Sequence, residues 1–141
     1  MSDITQLEYS RAQSTETDGT SPDEARGLIL TAAQAADERK AVDIVLLRVA
    51  EVCYLADYFA ICTGFSNVQV RAISQAIADQ VEEEWQRLPL RTQGLSDASW
   101  VVMDYGDAII HILKPQEREF YNLEAFWGHG ERVNFSTAEE R

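Results

Sequence analysis

Hydrophobic and polar positions are most sharply patterned at Trp100-Val-Val-Met-Asp104-Tyr-Gly-Asp107-Ala-Ile-Ile-His111, where two short apolar runs flank an Asp-Tyr-Gly-Asp break. A Gly between runs of strand length marks a tight hairpin. With Tyr105 and Gly106 as its loop, Asp104 faces Asp107, Val102 faces Ile109 and Trp100 faces His111. Alternation then gives one wholly apolar face, Val101, Met103, Ala108, Ile110 and Ile112, which belongs to a core. The other face holds Trp100, Asp104, Asp107 and His111 around Val102 and Ile109. Large and polar groups mixed on one sheet face suit a recognition surface. Read structurally, the same residues make a cross-strand Trp–His pair and two Asp that satisfy turn backbone.

The period changes to helical upstream. Ser21-Pro22-Asp23-Glu24 is a helix start, with Ser as N-cap, Pro in the first position and Glu completing a capping box. Leu28, Ile29, Ala32, Ala35 and Ala36 follow at helical spacing to about Glu38. Ala41 to Val49 is β-branched and nearly all apolar, as in a central strand covered on both faces. A second strand is predicted over Asp57 to Thr63, and Gly64-Phe65-Ser66-Asn67 ends it, with Ser66 or Asn67 capping a long helix to Arg87. That helix places Val70, Ile73, Ile77, Val81, Trp85 and Leu88 on one stripe, and Glu82, Glu83 and Glu84 on a solvated side. Leu90 to Leu95 reads as a short edge strand. After Pro115, Glu117 to Trp127 reads as a short helix with Phe120, Leu123, Phe126 and Trp127 inward. Residues 1–20 and 128–141 are polar and are expected to be a disordered tail and a flexible extension around a 21–127 domain. The order of elements predicts an α/β fold, a mixed, roughly five-stranded sheet with flanking helices.

Composition narrows the function. The 141 residues carry 24 acidic and 12 basic side chains, a net charge of −12. Such a surface repels phosphate backbones and attracts basic proteins, so direct nucleic-acid binding is not expected. No run approaches a membrane span, and no signal or transit pattern opens the chain, which makes a reducing cytoplasm the default. Cys53 and Cys62 lack metal-ligand spacing and read as small buried hydrophobes.

Candidate chemistry is thin. Gly64-Phe65-Ser66 at a strand-to-helix junction could offer N–H groups to a phosphate, but lacks the Lys and second Gly of a P-loop. A nucleotidyltransferase needs clustered carboxylates for two metal ions, and only Asp97, Asp104 and Asp107 lie near the right place, without the Asp-x-Asp spacing. His111 and His129 are the only histidine bases, and neither stands beside an activated Cys or Ser. No catalytic residue, metal ligand or cofactor is assigned.

Several linked segments resemble one family. Ala56-Asp57-Tyr58-Phe59-Ala-Ile-Cys62-Thr63-Gly64, the Val68 to Ile73 helix start, Gly94, the hairpin, and Phe120-Tyr121-x-Leu123-Glu124-x-x-Trp127 are similar to the ribosomal silencing factors (RsfS, or iojap-like proteins), in order from Ser21 to Trp127. The resemblance implies a nucleotidyltransferase-like topology without the catalytic carboxylates. It implies docking on the fourteenth protein of the large ribosomal subunit (uL14), which keeps the small subunit from joining when nutrients are scarce. By position, the contact residues it implies are Trp100, Asp104, Tyr105, Asp107 and His111, with Asp57 and Tyr58. A homodimer away from the ribosome is also implied. The polar tail before Ser21 and the extension after Trp127 depart from the usual pattern.

Overall fold

The computed structural model describes residues 22–50, 56–127 and 130–135. The Ser21 cap, the 1–20 tail, Cys53, His129 and the side chains of Phe126 and Trp127 lie outside that description. The elements are α1 (Pro22–Glu38), β1 (Val42–Arg48), β2 (Tyr58–Thr63), α2 (Asn67–Trp85), β3 (Arg91–Gln93), β4 (Trp100–Asp104), β5 (Ala108–Leu113), α3 (Pro115–Tyr121), α4 (Leu123–Trp127) and β6 (Glu131–Val133). They form one mixed sheet of six strands in the order β3-β4-β5-β2-β1-β6. Among the described residues only the central β2–β5 pair is parallel. The expected five strands become six because Glu131–Val133, placed by its polarity in the flexible extension, pairs antiparallel with β1. A short, exposed edge strand has no alternation to betray it.

Helices α1 and α2 cover one face of the sheet. The expected stripe of α1, Leu28, Ile29, Ala32, Ala35 and Ala36, is fully buried, as are Val70, Ile73, Ile77 and Val81 of α2. They pack on Leu46, Tyr58, Ala60, Cys62, Val101, Met103, Ala108, Ile110 and Ile112, the strand residues that point their way. Ser66 caps α2, its hydroxyl accepting the Gln69 N–H at 3.0 Å. The helix stops at Trp85, short of the expected Arg87, because Gln86 turns left-handed (φ 53°) and its N–H closes on Glu82 O. Leu88 therefore leaves the stripe and is exposed, whereas Glu82, Glu83 and Glu84 face solvent as expected.

On the opposite face Val45, Leu47, Val49, Phe59, Ile61 and Leu113 form a smaller apolar cluster, joined by Trp100, Ile109 and Leu123. The helix expected over 117–127 is two helices, broken at Asn122 (φ 46°), whose N–H caps Arg118 O. The break carries Phe120 outward to 79% exposure instead of inward, since the continuous 3.6-residue period assumed for it ends two residues later. Among the described residues no helix is long and apolar enough to cross a membrane.

Candidate functional site

The hairpin forms with its register moved by two. Val102 lies opposite His111, Asp104 opposite Ile109, and Trp100 opposite Leu113. Tyr105 N–H bonds to Ala108 O, so the two-residue loop is Gly106–Asp107, not Tyr105–Gly106. Gly106 supplies the positive φ (95°) that a type II′ loop requires at its first central position. A slip of two preserves the side-chain faces, so both predicted faces survive except for Asp107, which now belongs to the loop. Val101, Met103, Ala108, Ile110 and Ile112 are buried against the helices, and Trp100, Val102, Asp104, Ile109 and His111 stay half-buried on the other side.

Trp100 and His111 are thus diagonal neighbours rather than directly opposed. The indole Nε1–H donates to His111 Nδ1 at 3.1 Å, which fixes the imidazole as the neutral Nε2–H tautomer. Burial pushes the His111 pKa down to about 4, in keeping with that acceptor role. Its ring meets Phe59 edge-on at 5.4 Å, and Trp100 in turn lies 4.6 Å from Tyr121 of α3. A Cβ at Gly94 would meet Trp100 O at 2.1 Å, so the β3–β4 connection needs glycine there to bring Trp100 into place.

The two hairpin aspartates part company. Asp104 accepts the Gly106 N–H at 2.8 Å and meets Arg91 Nε at 3.4 Å across the β3–β4 pair. Asp107, only 9% exposed, binds Arg87 through both oxygens at 2.7 and 3.1 Å, and Arg87 also donates to Tyr105 O. Asp107 therefore clamps the turn to the segment after α2 and is buried there, not set on the outer face of the hairpin where alternation placed it. Tyr105 is 1% exposed among the helix-side core residues, and burial pushes its phenol up to about 12. Tyr58 is buried in the same cluster. Asp57 is half-buried at the start of β2, its pKa raised by burial and then by the nearby Asp107 charge. The cross-strand partner Arg91 and the clamp Arg87 were missed, as was Tyr121. Arg91 had a signal, a basic residue in the strand expected beside β4.

The alternative chemistry is accounted for by internal bonds. At the Gly64-Phe65-Ser66 junction, Gly64 N–H goes to Leu113 O at 3.1 Å and Phe65 N–H to the Gln69 side chain at 2.7 Å, so these donors are spent within the loop. Asp97 accepts from Ser99 at 2.6 Å. Among the described residues no three His, Cys, Asp or Glu gather as metal ligands would. Cys62 is buried, its thiol pushed up to about 12.

The family model described as "Ribosomal silencing factor during starvation" matches residues 22–141. The chain belongs to that family. Ribosomal silencing factor RsfS of Bacillus subtilis is 39% identical over 103 residues, covering 73% of this chain and 86% of the relative. The chloroplastic protein Iojap of Zea mays is 41% identical over 97 residues, 69% of this chain but 42% of that longer protein. A crystal structure from Bacillus halodurans superposes with a TM-score of 0.67 at 34% identity, covering 78% of this chain and 99% of the other. One from Chromobacterium violaceum gives 0.71 at 27% identity, with 82% and 97% covered. The mixed α/β fold of this silencing factor is thus shared with solved relatives.

Proposed function

We propose that this silencing factor docks through the outer face of its β4–β5 hairpin on the fourteenth protein of the large ribosomal subunit (uL14). Docked there, in the cytoplasm, it keeps the small subunit from joining and represses translation under nutrient limitation. The observation that carries the reading is the half-buried apolar strip of Val102 and Ile109, framed by Trp100 and Asp104, on a chain of net charge −12. An apolar centre with an aromatic flank and a charged rim has the make-up of a protein interface, and the acidic surround favours a basic partner. Trp100 is the contact residue, held in one orientation by His111. Asp104 supplies rim charge. Tyr105, Asp107, Tyr58 and Asp57 act behind the surface, fixing the turn against α2 and β2. The role needs no cofactor and no bond-making step.

The test is ribosome association. Trp100→Ala should weaken large-subunit binding at least roughly thirtyfold, about 2 kcal/mol, as truncated interface aromatics commonly do. In a sucrose gradient, the wild type should raise the fraction of separated subunits and co-migrate with the large one. The folded Trp100→Ala protein should leave intact ribosomes. A well-folded variant that still separates subunits as the wild type does would exclude this face.

A further inference from the structure

The aromatic contacts do not end at the hairpin. Tyr121 meets Trp100 at a tilt of 46°, and Phe120, 79% exposed, meets Tyr121 edge-on at 4.9 Å. These two rings line an open hollow on α3 together with Gln116, Glu117 and Glu119. The hollow therefore presents two carboxylates and two rings. Arg118 does not neutralise it: its guanidinium is taken by Glu124, Thr63 Oγ1 and Asp43 O at 2.8 to 2.9 Å. Glu117, which lines the hollow, has one carboxylate oxygen buried and, among the described residues, without a hydrogen-bond partner. A carboxylate oxygen in that state costs free energy until a donor reaches it.

The geometry points to this hollow as a receptor for one arginine side chain of the protein that docks on the hairpin face. A guanidinium has the plane to lie on the exposed Phe120 ring and the forked donors to reach the Glu117 carboxylate. Continuity through Tyr121 and Trp100 makes it one surface with the hairpin, and the inference rests on the hairpin reading for the identity of the arginine's owner. It adds to that reading a second contact, basic where the first is apolar, and a reason for Phe120 to be in solvent.

Two measurements on the full chain test it. In the first, N-acetylarginine amide is titrated against the 15N-labelled protein, with N-acetylcitrulline amide, its uncharged isostere, as the control. Arginine should give saturable shifts confined to residues near 116–121, citrulline none, and Glu117→Gln or Phe120→Ala should weaken the effect roughly tenfold. Equal responses to the two probes, or none, would overturn the inference. In the second, the same variants are pelleted with large subunits. Both should bind roughly tenfold more weakly with unchanged melting temperature, since Phe120 is exposed and Glu→Gln is isosteric. Loss of binding in Trp100→Ala with full binding in both hollow variants would overturn the hollow and leave the hairpin reading standing. Arginine shifts at α3 with undiminished binding by Trp100→Ala would support the hollow and overturn the hairpin reading. Sedimentation in which Phe120→Ala turns a dimer into a monomer would assign the patch to a second copy and overturn the inference.

Discussion

On the helix side of the β4–β5 hairpin, Val101, Met103, Ala108, Ile110 and Ile112 are at most 1% exposed, whereas Trp100, Val102, Ile109 and His111 of the same strands are only half-buried on the other side. Neighbouring residues of similar hydrophobicity thus have different tasks. One set has already released its water in folding and contributes stability. The other still has apolar area in water, with a gross transfer free energy of about 25 cal/mol for each Å² that is later covered, before the costs of association. The pleat alone separates the two, so stability and binding can be varied independently along one strand.

The widest gap expected between the faces is in core truncation. Ile110→Ala should cost roughly 2–5 kcal/mol of unfolding free energy, and Val102→Ala, on the outer face of the neighbouring strand, under about 1 kcal/mol. Urea unfolding midpoints measure both, and equal losses would show that the outer face is packed as tightly as the inner one.

The next contrast is set by pH. His111 has a folded pKa near 4 through burial, below the ordinary value of 6.5. Above pH 6.5 both folded and unfolded chains hold it neutral, and its contribution is fully present. As pH falls from about 6.5 to about 4 the unfolded state takes the proton first, and stability is lost, by about 2 kcal/mol between pH 7 and 5. Subtracting the pH profile of His111→Gln from that of the wild type isolates this loss, which vanishes if the imidazole is solvated in the fold.

The smallest effect belongs to charge at the rim. Asp104→Lys should leave stability within about 1 kcal/mol, because its exposed pair with Arg91 contributes little. It should slow association with a basic partner and reduce the salt dependence, read by stopped-flow mixing with large subunits. Asp107→Lys is no substitute for it. That residue is buried against Arg87, and a lysine there would attack the turn itself.

What could be read in the sequence follows physical lines. The two hairpin faces were legible because alternation survives any even slip in pairing. The register was not, since Gly106 can serve as first or second residue of a two-residue loop and only the folded turn decides. The Ser66 cap, the buried stripe of α1 and that of α2 as far as Val81 were local patterns and came out as expected, while Leu88 did not. Strand β6 and the break at Asn122 depend on distant pairing and on one left-handed residue, which leave no periodic trace. Within the candidate site, the half-buried placement of Trp100 and His111 followed from alternation, but the burial of Tyr105, Tyr58 and Asp107 was not legible. Their burial depends on Arg87 and on the helices above them.

The parallel pairing of β2 with β5 has a consequence for how the molecule assembles. Tyr58 pairs with Ala108, some fifty positions further along the chain, whereas β1–β2 and β4–β5 are neighbours in sequence. Zipping β2 against β5 closes a long loop, at an entropic cost on the order of 3 kcal/mol before any contact offsets it. The β1–β2 and β4–β5 pairs are local, but they remain separate until that seam closes, and non-local pairings of this kind, β1–β6 among them, set the slow end of folding rates. Phe59 and His111, which lie behind the outer face of the hairpin, come from opposite sides of the seam. That face is therefore complete only when the seam is closed, and a chain in which it is open would present Trp100 without the Phe59 contact behind its His111 partner.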